Sequence, residues 1–280
     1  MIPIMEFQER SLKGPVMKST QFDLAFAKKV RELVGKYEIK YNPDELIVDD
    51  KTADAVFQAG VALLAEVGLY HLDTQRVIQF REEEIREVAK EYLENPPRQV
   101  FGQGEDEITV EYRVSDDKRP PILAGGAPGS IAQEWFSPYV QSFMQEETNK
   151  AMGIAGGITA VGDVEPKAGT LSEVYCGLWE CRTLLEALDR VGRPGLHLGL
   201  LCTVSTVGGT MACVGPGLRG PHNTQIGIHI VPEQKLDWTR LLLAQFCEER
   251  GITPWTSCMS MVGALCRDGA EAAIGLVANL

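Results

Sequence analysis

Apolar positions along this chain recur at helical spacing in its first part and as short, strand-length runs in its second, and the change falls near residue 120. Early on, Phe22, Phe26, Val30 and Val34 stand at i, i+4, i+8 and i+12 and predict a helix over about 22–37. A second helix follows, with Asp50 or Thr52 as its cap and Val56, Gly60, Leu63, Leu64 and Val67 as one buried stripe. Gly68 sits where a left-handed C-terminal cap belongs. Residues 77–80 read as a strand, 82–93 as a helix stopped before Pro96 and Pro97, and 107–114 (EITVEYRV) as an alternating strand wet on one face. Residues 1–120 therefore form an N-terminal extension of helices and small antiparallel pieces.

From Pro121 the runs PILAGG (121–126), GITAV (157–161), LHLGLLC (196–202), IGIHIV (226–231) and SCMSMV (257–262) alternate with helices near 134–148, 170–190, 235–250 and from 268 onward. Parallel sheets with right-handed crossovers require this alternation. In the helix at 170–190 the expected inward stripe is Leu171, Val174, Tyr175, Leu178, Leu185 and Leu188, with Glu186 paired to Arg190 and Gly192 as the stop. At 235–250 it is Trp238, Leu241, Leu242 and Phe246, closing at Gly251. The fold class expected is α/β, with 121–280 as the first part of a (β/α)8 TIM-type barrel that is incomplete in this chain. An open, doubly wound sheet is the alternative, although Gly153, Gly156, Gly157, Gly208 and Gly209 do not reproduce a dinucleotide-binding glycine pattern.

At 280 residues the chain is long enough to bury one sizeable core or two modest ones. Its net charge of −12 repels phosphate backbones and anionic headgroups, so neither nucleic acid nor a membrane surface is an expected partner. No run is long and apolar enough to span a bilayer, and Glu6, Glu9 and Arg10 close behind Met1 do not follow signal-peptide order. The seven cysteines, 176, 181, 202, 213, 247, 258 and 266, are odd in number and scattered, which suits reduced core thiols in the cytoplasm.

That cysteine spacing also matches no zinc site, and His71, His197, His222 and His229 stand alone, so no metal is expected. Alternation places His229 on one strand face with Gly227 and Val231; it either lines a cavity as an acid, base or substrate donor, or is a satisfied core histidine. The Gly, Ser and Thr-rich segment 202–220, carrying Cys202, Ser205, Gly208 and Gly209, is a candidate active-site loop after a strand, or an irregular connection. Asp163, Glu165 and Glu233 follow strands and together would favour a cationic substrate, although singly each suits a helix start or a solvated loop.

The stretch VFQAGVALLAEVGLYHLDTQRVIQFREEEI at 56–85, GGAPGS at 125–130 and GRPG at 192–195 resemble the monomethylamine methyltransferases of methylotrophic methanogens and their bacterial relatives. The resemblance runs from about residue 30 to the end. It implies a barrel that hands a methyl group from a small methylated amine to the cobalt of a corrinoid carried by a partner protein, with no cofactor bound directly and a homo-oligomeric assembly. In that family pyrrolysine, shortly after the GRPG, orients the amine. Here Gly199 falls at or beside that position and Gln225 where the family has its accompanying glutamate. Gly199, Gln225 and His229 are thus the expected catalytic positions, and Asp163, Glu165, Cys202, Ser205, Gly208, Gly209 and Glu233 the expected substrate contacts. Without the electrophile the expected donor is a quaternary amine, held by carboxylates and by an aromatic wall drawn from Trp135, Phe136, Trp179 and Trp255. A non-catalytic binding subunit and an unrelated barrel lyase or isomerase using His229 remain the alternatives.

Overall fold

Two helices precede the first strong sequence signal: α1 (Ile4–Lys13), which the apolar pattern does not reveal, and α2 (Ser19–Lys36), which it does. The computed structural model describes residues 2–44, 48–114, 116–126, 129–152, 157–199, 206–230 and 233–280. Helix α3 (Asp50–Val67) is capped by Asp49, whose carboxylate accepts the Thr52 N–H at 2.7 Å, rather than by Asp50 or Thr52. Gly68 ends it at φ 75°, donating to the Leu64 carbonyl at 2.9 Å. The single stripe expected on α3 is too narrow. Ala59, Gly60, Val61, Ala62 and Leu63 are all buried, because α2, α4 (Glu82–Glu94) and α9 (Gly269–Asn279) surround the helix. Small residues permit the close approach: a Cβ on Gly60 would lie 2.5 Å from Val277 Cγ1.

These helices belong to the first of two compact units, Met1–Asn95 with His229–Leu241 and Thr256–Leu280. Its core gathers Phe26, Val30, Leu33, Ala59, Leu63, Ile274 and Ala278. Its sheet has the order β2-β1-β8: β1 (Leu69–His71) runs antiparallel to β2 (Arg76–Ile78) and parallel to β8 (Lys235–Leu236). The 235–250 helix is accordingly shorter at its start, α8 (Trp238–Arg250), and buries Leu243 and Cys247 while Leu242 is exposed.

The second unit comprises Pro96–Ile228 and Leu242–Trp255. The expected boundary at residue 120 marks a change of pattern along the chain and falls inside this unit. Antiparallel β3 (Gln99–Phe101) and β4 (Ile108–Val110) form its hairpin, and parallel β5 (Leu123–Gly125) and β6 (Asn149–Met152) flank α5 (Gln133–Met144) in sequence. Ala151 in turn bridges in parallel to His197. Residues 157–161 are not the strand expected of GITAV. Ile158 makes one parallel bridge to Ile131, and its N–H goes to Glu180 Oε2 at 3.1 Å instead of extending a ladder. The true strand at Asn149–Met152 begins with Asn and Lys, which hid it from an apolar count.

Helix α6 (Leu171–Arg190) forms where expected, with Leu188 buried and Val174, Leu178 and Leu185 packed on the core, but its most buried side is rotated away from the expected stripe. Cys176, Cys181, Leu184, Ala187 and Leu188 are buried together with Glu173 and Glu180, whereas Leu171 is 89% exposed. Two glutamates on the inner face, each accepting a backbone N–H, from Gly169 and Ile158, explain the misplaced stripe. Helix α7 (Val207–Cys213) replaces much of the loop expected at 202–220, capped by Thr206 Oγ1 accepting from the Gly209 N–H at 2.9 Å. Strand β7 (Ile226–Ile230) pairs with β9 (Pro254–Cys258), which begins earlier than the SCMSMV run. Among the described residues the strands make one three-stranded and three two-stranded sheets, so the architecture is mixed α/β with parallel pairs and no closed barrel. No described helix is long and apolar enough to cross a membrane. Cys176, Cys181, Cys213, Cys247 and Cys266 are buried free thiols, as the scattered spacing suggested.

Candidate functional site

The GRPG segment after α6 is a clamp. Gly192 leaves the helix at φ 74°, and the Arg193 N–H closes the turn on the Leu188 carbonyl at 2.9 Å. The Arg193 guanidinium pairs with Asp106 at 2.7 Å and donates through Nη1 to the carbonyls of Met144 (2.9 Å) and Glu146 (3.1 Å). Gly195 lies flat against the Gln103 backbone, accepting the Gln103 N–H at 2.9 Å; a Cβ there would sit 2.1 Å from the Gln103 oxygen. Held in this way, the chain delivers Leu196, His197 and Leu198 into the core.

The His197 ring stacks on Phe101 with centroids 4.2 Å apart, and its Nε2 lies 3.3 Å from Gln225 Oε1. With the Gln225 oxygen as acceptor, the Nε2–H tautomer makes this bond. Two residues on, Gly199 turns at φ 57°, a left-handed conformation that glycine adopts without strain. Its carbonyl accepts from Arg219 Nη2 at 2.8 Å and from the Gln225 N–H at 3.4 Å. Arg219 is 2% exposed and also donates to the Asn223 carbonyl at 3.1 Å. Sequence positions 197, 199, 219 and 225 thus share one hydrogen-bonded cluster.

Electrostatics give this cluster one fixed charge. Burial pushes the His197 imidazole down to about 4 against the opposing hydrogen bond to Gln225, with Arg219 adding to the depression, so the ring is neutral at pH 7. Burial likewise disfavours the charge of Arg219, opposed by Cys213, Cys181 and Glu180, yet a guanidinium keeps its proton. Burial and its neighbours hold the Cys181 thiol protonated: a hydrogen bond to Cys213 comes first, then desolvation. A testable pH dependence follows. The folded His197 binds its proton below the unfolded value of 6.5, so the unfolded chain takes up protons first and stability falls as pH drops through the window from 6.5 to about 4. At pH 5 this residue alone is expected to cost about 2 kcal/mol relative to pH 7.5. Urea unfolding of the unsubstituted chain and of His197→Gln at both pH values measures it, and equal pH slopes in the two would rule the assignment out.

The other expected positions lie elsewhere. Asp163 and Glu165 are exposed beside the turn joining Val161 and Val164, on a shallow depression shared with Lys167 and Ser172. Gly208 is helical, and a Cβ on it would lie 2.3 Å from Glu173 Oε2; Gly209 is spent on the α7 cap. Neither glycine forms a phosphate cradle, since a carboxylate already occupies that helix start. Cys202 and Ser205 lie outside the described residues. His229 and Glu233 belong to the first unit. There the His229 carbonyl accepts from Arg240 Nε at 3.3 Å, and burial, then Arg240, lowers the ring's affinity for a proton. Glu233, 1% exposed, accepts from Ser260 Oγ at 2.9 Å and from the Met261 N–H at 3.0 Å. Of the aromatic candidates, Phe136 and Trp179 meet edge-to-face at 5.6 Å in the second unit's core, and Trp135 is 66% exposed. Arg219 was missed because one arginine within LRGPH reads as a solvated loop charge. No group of three or more His, Cys, Asp or Glu that could hold a metal ion occurs among the described residues.

The chain is 32% identical over 199 residues to the monomethylamine methyltransferase MtmB of Methanosarcina mazei, covering 69% of this chain and 42% of that protein. It is 28% identical over 228 residues to MtmB2 of Methanosarcina acetivorans, covering 79% and 48%. It therefore spans less than half the length of these relatives. The crystal structures of Methanosarcina barkeri MtmB and of a hydroxylamine MtmB complex superpose on it with a TM-score of 0.87 at 25% identity, covering 98% of this chain and 60% of theirs. The profile of the monomethylamine methyltransferase MtmB family matches residues 2–280, and the chain belongs to that family.

Proposed function

We propose that this chain forms the amine-holding part of a methyltransferase that passes a methyl group from a methylated amine to a corrinoid carried by a partner protein, within the frame of a (β/α)8 barrel. The observation that carries the reading is the cluster around Gly199, built beside a parallel strand pair and presented by the GRPG clamp in a chain of the monomethylamine methyltransferase family. A reduced corrinoid carried by the partner protein would supply the nucleophile that forms a bond to the methyl carbon, and the amine nitrogen would keep the electron pair of the broken carbon–nitrogen bond.

This chain's residues set the stage for that exchange. Neutral His197 fixes the Gln225 amide through Nε2, and Arg219 pins the Gly199 carbonyl, so the left-handed turn keeps its shape whatever approaches it. Gly199 offers no electrophilic side chain, and neutral His197 is a poor proton donor at pH 7. Both favour a donor whose nitrogen is already fully alkylated, because it departs as a neutral amine without needing a proton. The chain holds no cofactor of its own in this reading. It works in the cytoplasm as a homo-oligomer, with the corrinoid protein as its partner.

Turnover with the cognate corrinoid protein and a panel of mono-, di-, tri- and quaternary methylamines tests the proposal. Methylation of the corrinoid, fastest with quaternary donors, is the expected result. Activity confined to monomethylamine overturns the substrate preference. A complete lack of transfer, with the chain still binding methylated amines, favours a binding subunit instead.

A further inference from the structure

Helix α4 is anchored near its start and bare at its end. Half-buried Ile85 packs against Leu69, Ile78 and Phe80, yet no residue of the helix is fully buried, and Tyr92 and Leu93 in the last turn are 63% and 69% exposed. Val88 and Tyr92, four residues apart, make an exposed apolar strip on one side of the helix. Glu87 stands next to that strip, exposed and with no ion pair among the described residues. The helix carries six glutamates against one arginine and one lysine. A surface that is both apolar and strongly acidic suits a partner with an apolar floor and a cation beside it.

The second unit offers such a surface. Where α5 and α6 meet, a groove of about 530 Å³ is lined by Tyr175, Leu178, Trp179, Arg182 and Arg190, with Glu186 among them. Glu186 pairs with Arg190 at 3.5 Å, so the charge left over is the exposed guanidinium of Arg182, which has no ion pair among the described residues. Tryptophan, tyrosine and arginine are the side chains that carry most of the energy where proteins meet. An aromatic groove with a spare cation is an exception on a chain of net charge −12, and the acidic, apolar end of α4 complements it in both respects.

We propose that α4 of one copy of this chain docks in the α5 and α6 groove of a second copy, with Val88 and Tyr92 against Leu178 and Trp179 and with Glu87 facing Arg182. This specifies the homo-oligomer of the reading above and does not depend on its chemistry. The contact is heterologous: each copy contributes one helix and one groove, so copies join head to tail.

Light scattering of the unsubstituted chain from about 1 to 100 µM tests this. The mass is expected to rise above the 30.7 kDa of a single copy. Arg182→Glu and Glu87→Arg, each checked for folding by circular dichroism, are expected to weaken association about tenfold or more, because each sets like charges face to face. Tyr92→Ala, which alters no charge, is expected to weaken it by a similar factor. Mixing the two charge variants is the decisive arm. The unaltered helix of the Arg182→Glu chain then meets the unaltered groove of the Glu87→Arg chain, so the mixture is expected to recover association that neither variant shows alone. A mass of 30.7 kDa at every concentration overturns the proposal and leaves the groove to a different protein. Association that survives both charge reversals also overturns it, as does a mixture no more associated than its components. Methyl transfer by a chain that stays single removes the interface and leaves the transferase, whereas an assembly that transfers no methyl group does the reverse.

Discussion

Phe26→Ala is expected to lower the unfolding free energy of the first unit by about 3–5 kcal/mol. The ring is fully buried on α2, in one core with Val30, Leu33, Leu63, Ile274 and Ala278. Truncation removes the transfer free energy of an aromatic side chain and opens a hole that its surroundings cannot close. Helix α3 is enclosed by α2, α4 and α9, and its small residues already bring it as near to α9 as Gly60 allows. The measurement is urea unfolding with amide hydrogen exchange, in which protection of α2, α3 and α9 drops while α6 in the other unit keeps its own. A loss below about 1 kcal/mol would mean the helices do not meet at Phe26 as described.

Gly195→Val is expected to cost about 3 kcal/mol or more, beyond the common range for an overpacked site, because the obstacle is backbone rather than a side chain able to swing away. A Cβ at this position would stand 2.1 Å from the Gln103 carbonyl oxygen, so accommodating it means parting the two strands of chain and breaking the Gln103 N–H bond to Gly195. Displacement would carry Leu196, His197 and Leu198 with it. The variant should therefore lose both stability, by urea midpoint, and the stacking of His197 on Phe101, read as a changed imidazole titration by NMR. A stable variant with an unmoved His197 titration would show that the clamp does not position the ring.

Much of the fold was legible from periodicity. Helices α2, α3, α6 and α9 lie close to where the apolar spacing put them, since each buries a face against neighbours, and α4, which has no fully buried residue, packs half-buried Ile85 against Leu69, Ile78 and Phe80. What failed was orientation. Counting only apolar residues set the α6 stripe to one side of its true centre: Leu188 is buried and Val174, Leu178 and Leu185 pack on the core, while Leu171 and Tyr175 face out and Glu173 and Glu180 sit inside with their carboxylates on backbone N–H groups. The strand Asn149–Met152 escaped notice for a related reason, its polar start, while the more hydrophobic 157–161 is largely loop. At the site, Gly199 and Gln225 were reached through resemblance to a family, and the structure brings those two together. His197 and Arg219 complete the cluster, and neither stood out: a single histidine in an apolar run and a single arginine between glycine and leucine carry no spacing signal. Only through-space contacts, across 20 residues to Gly199 and 28 to Gln225, assign them.

The parallel pairing of β1 with β8 sets Tyr70 beside Lys235, and α3 packs on α9 near the end of the chain. During synthesis on a ribosome the opening 95 residues therefore emerge well before their partners exist, with Phe26, Leu33 and Leu63 exposed while the intervening segments are made. The second unit is assembled largely from one stretch and gains its contacts earlier. Nascent chains halted before α9 are the species on which a chaperone would be expected to act, and translation speed through residues 96–228 sets how long they must wait.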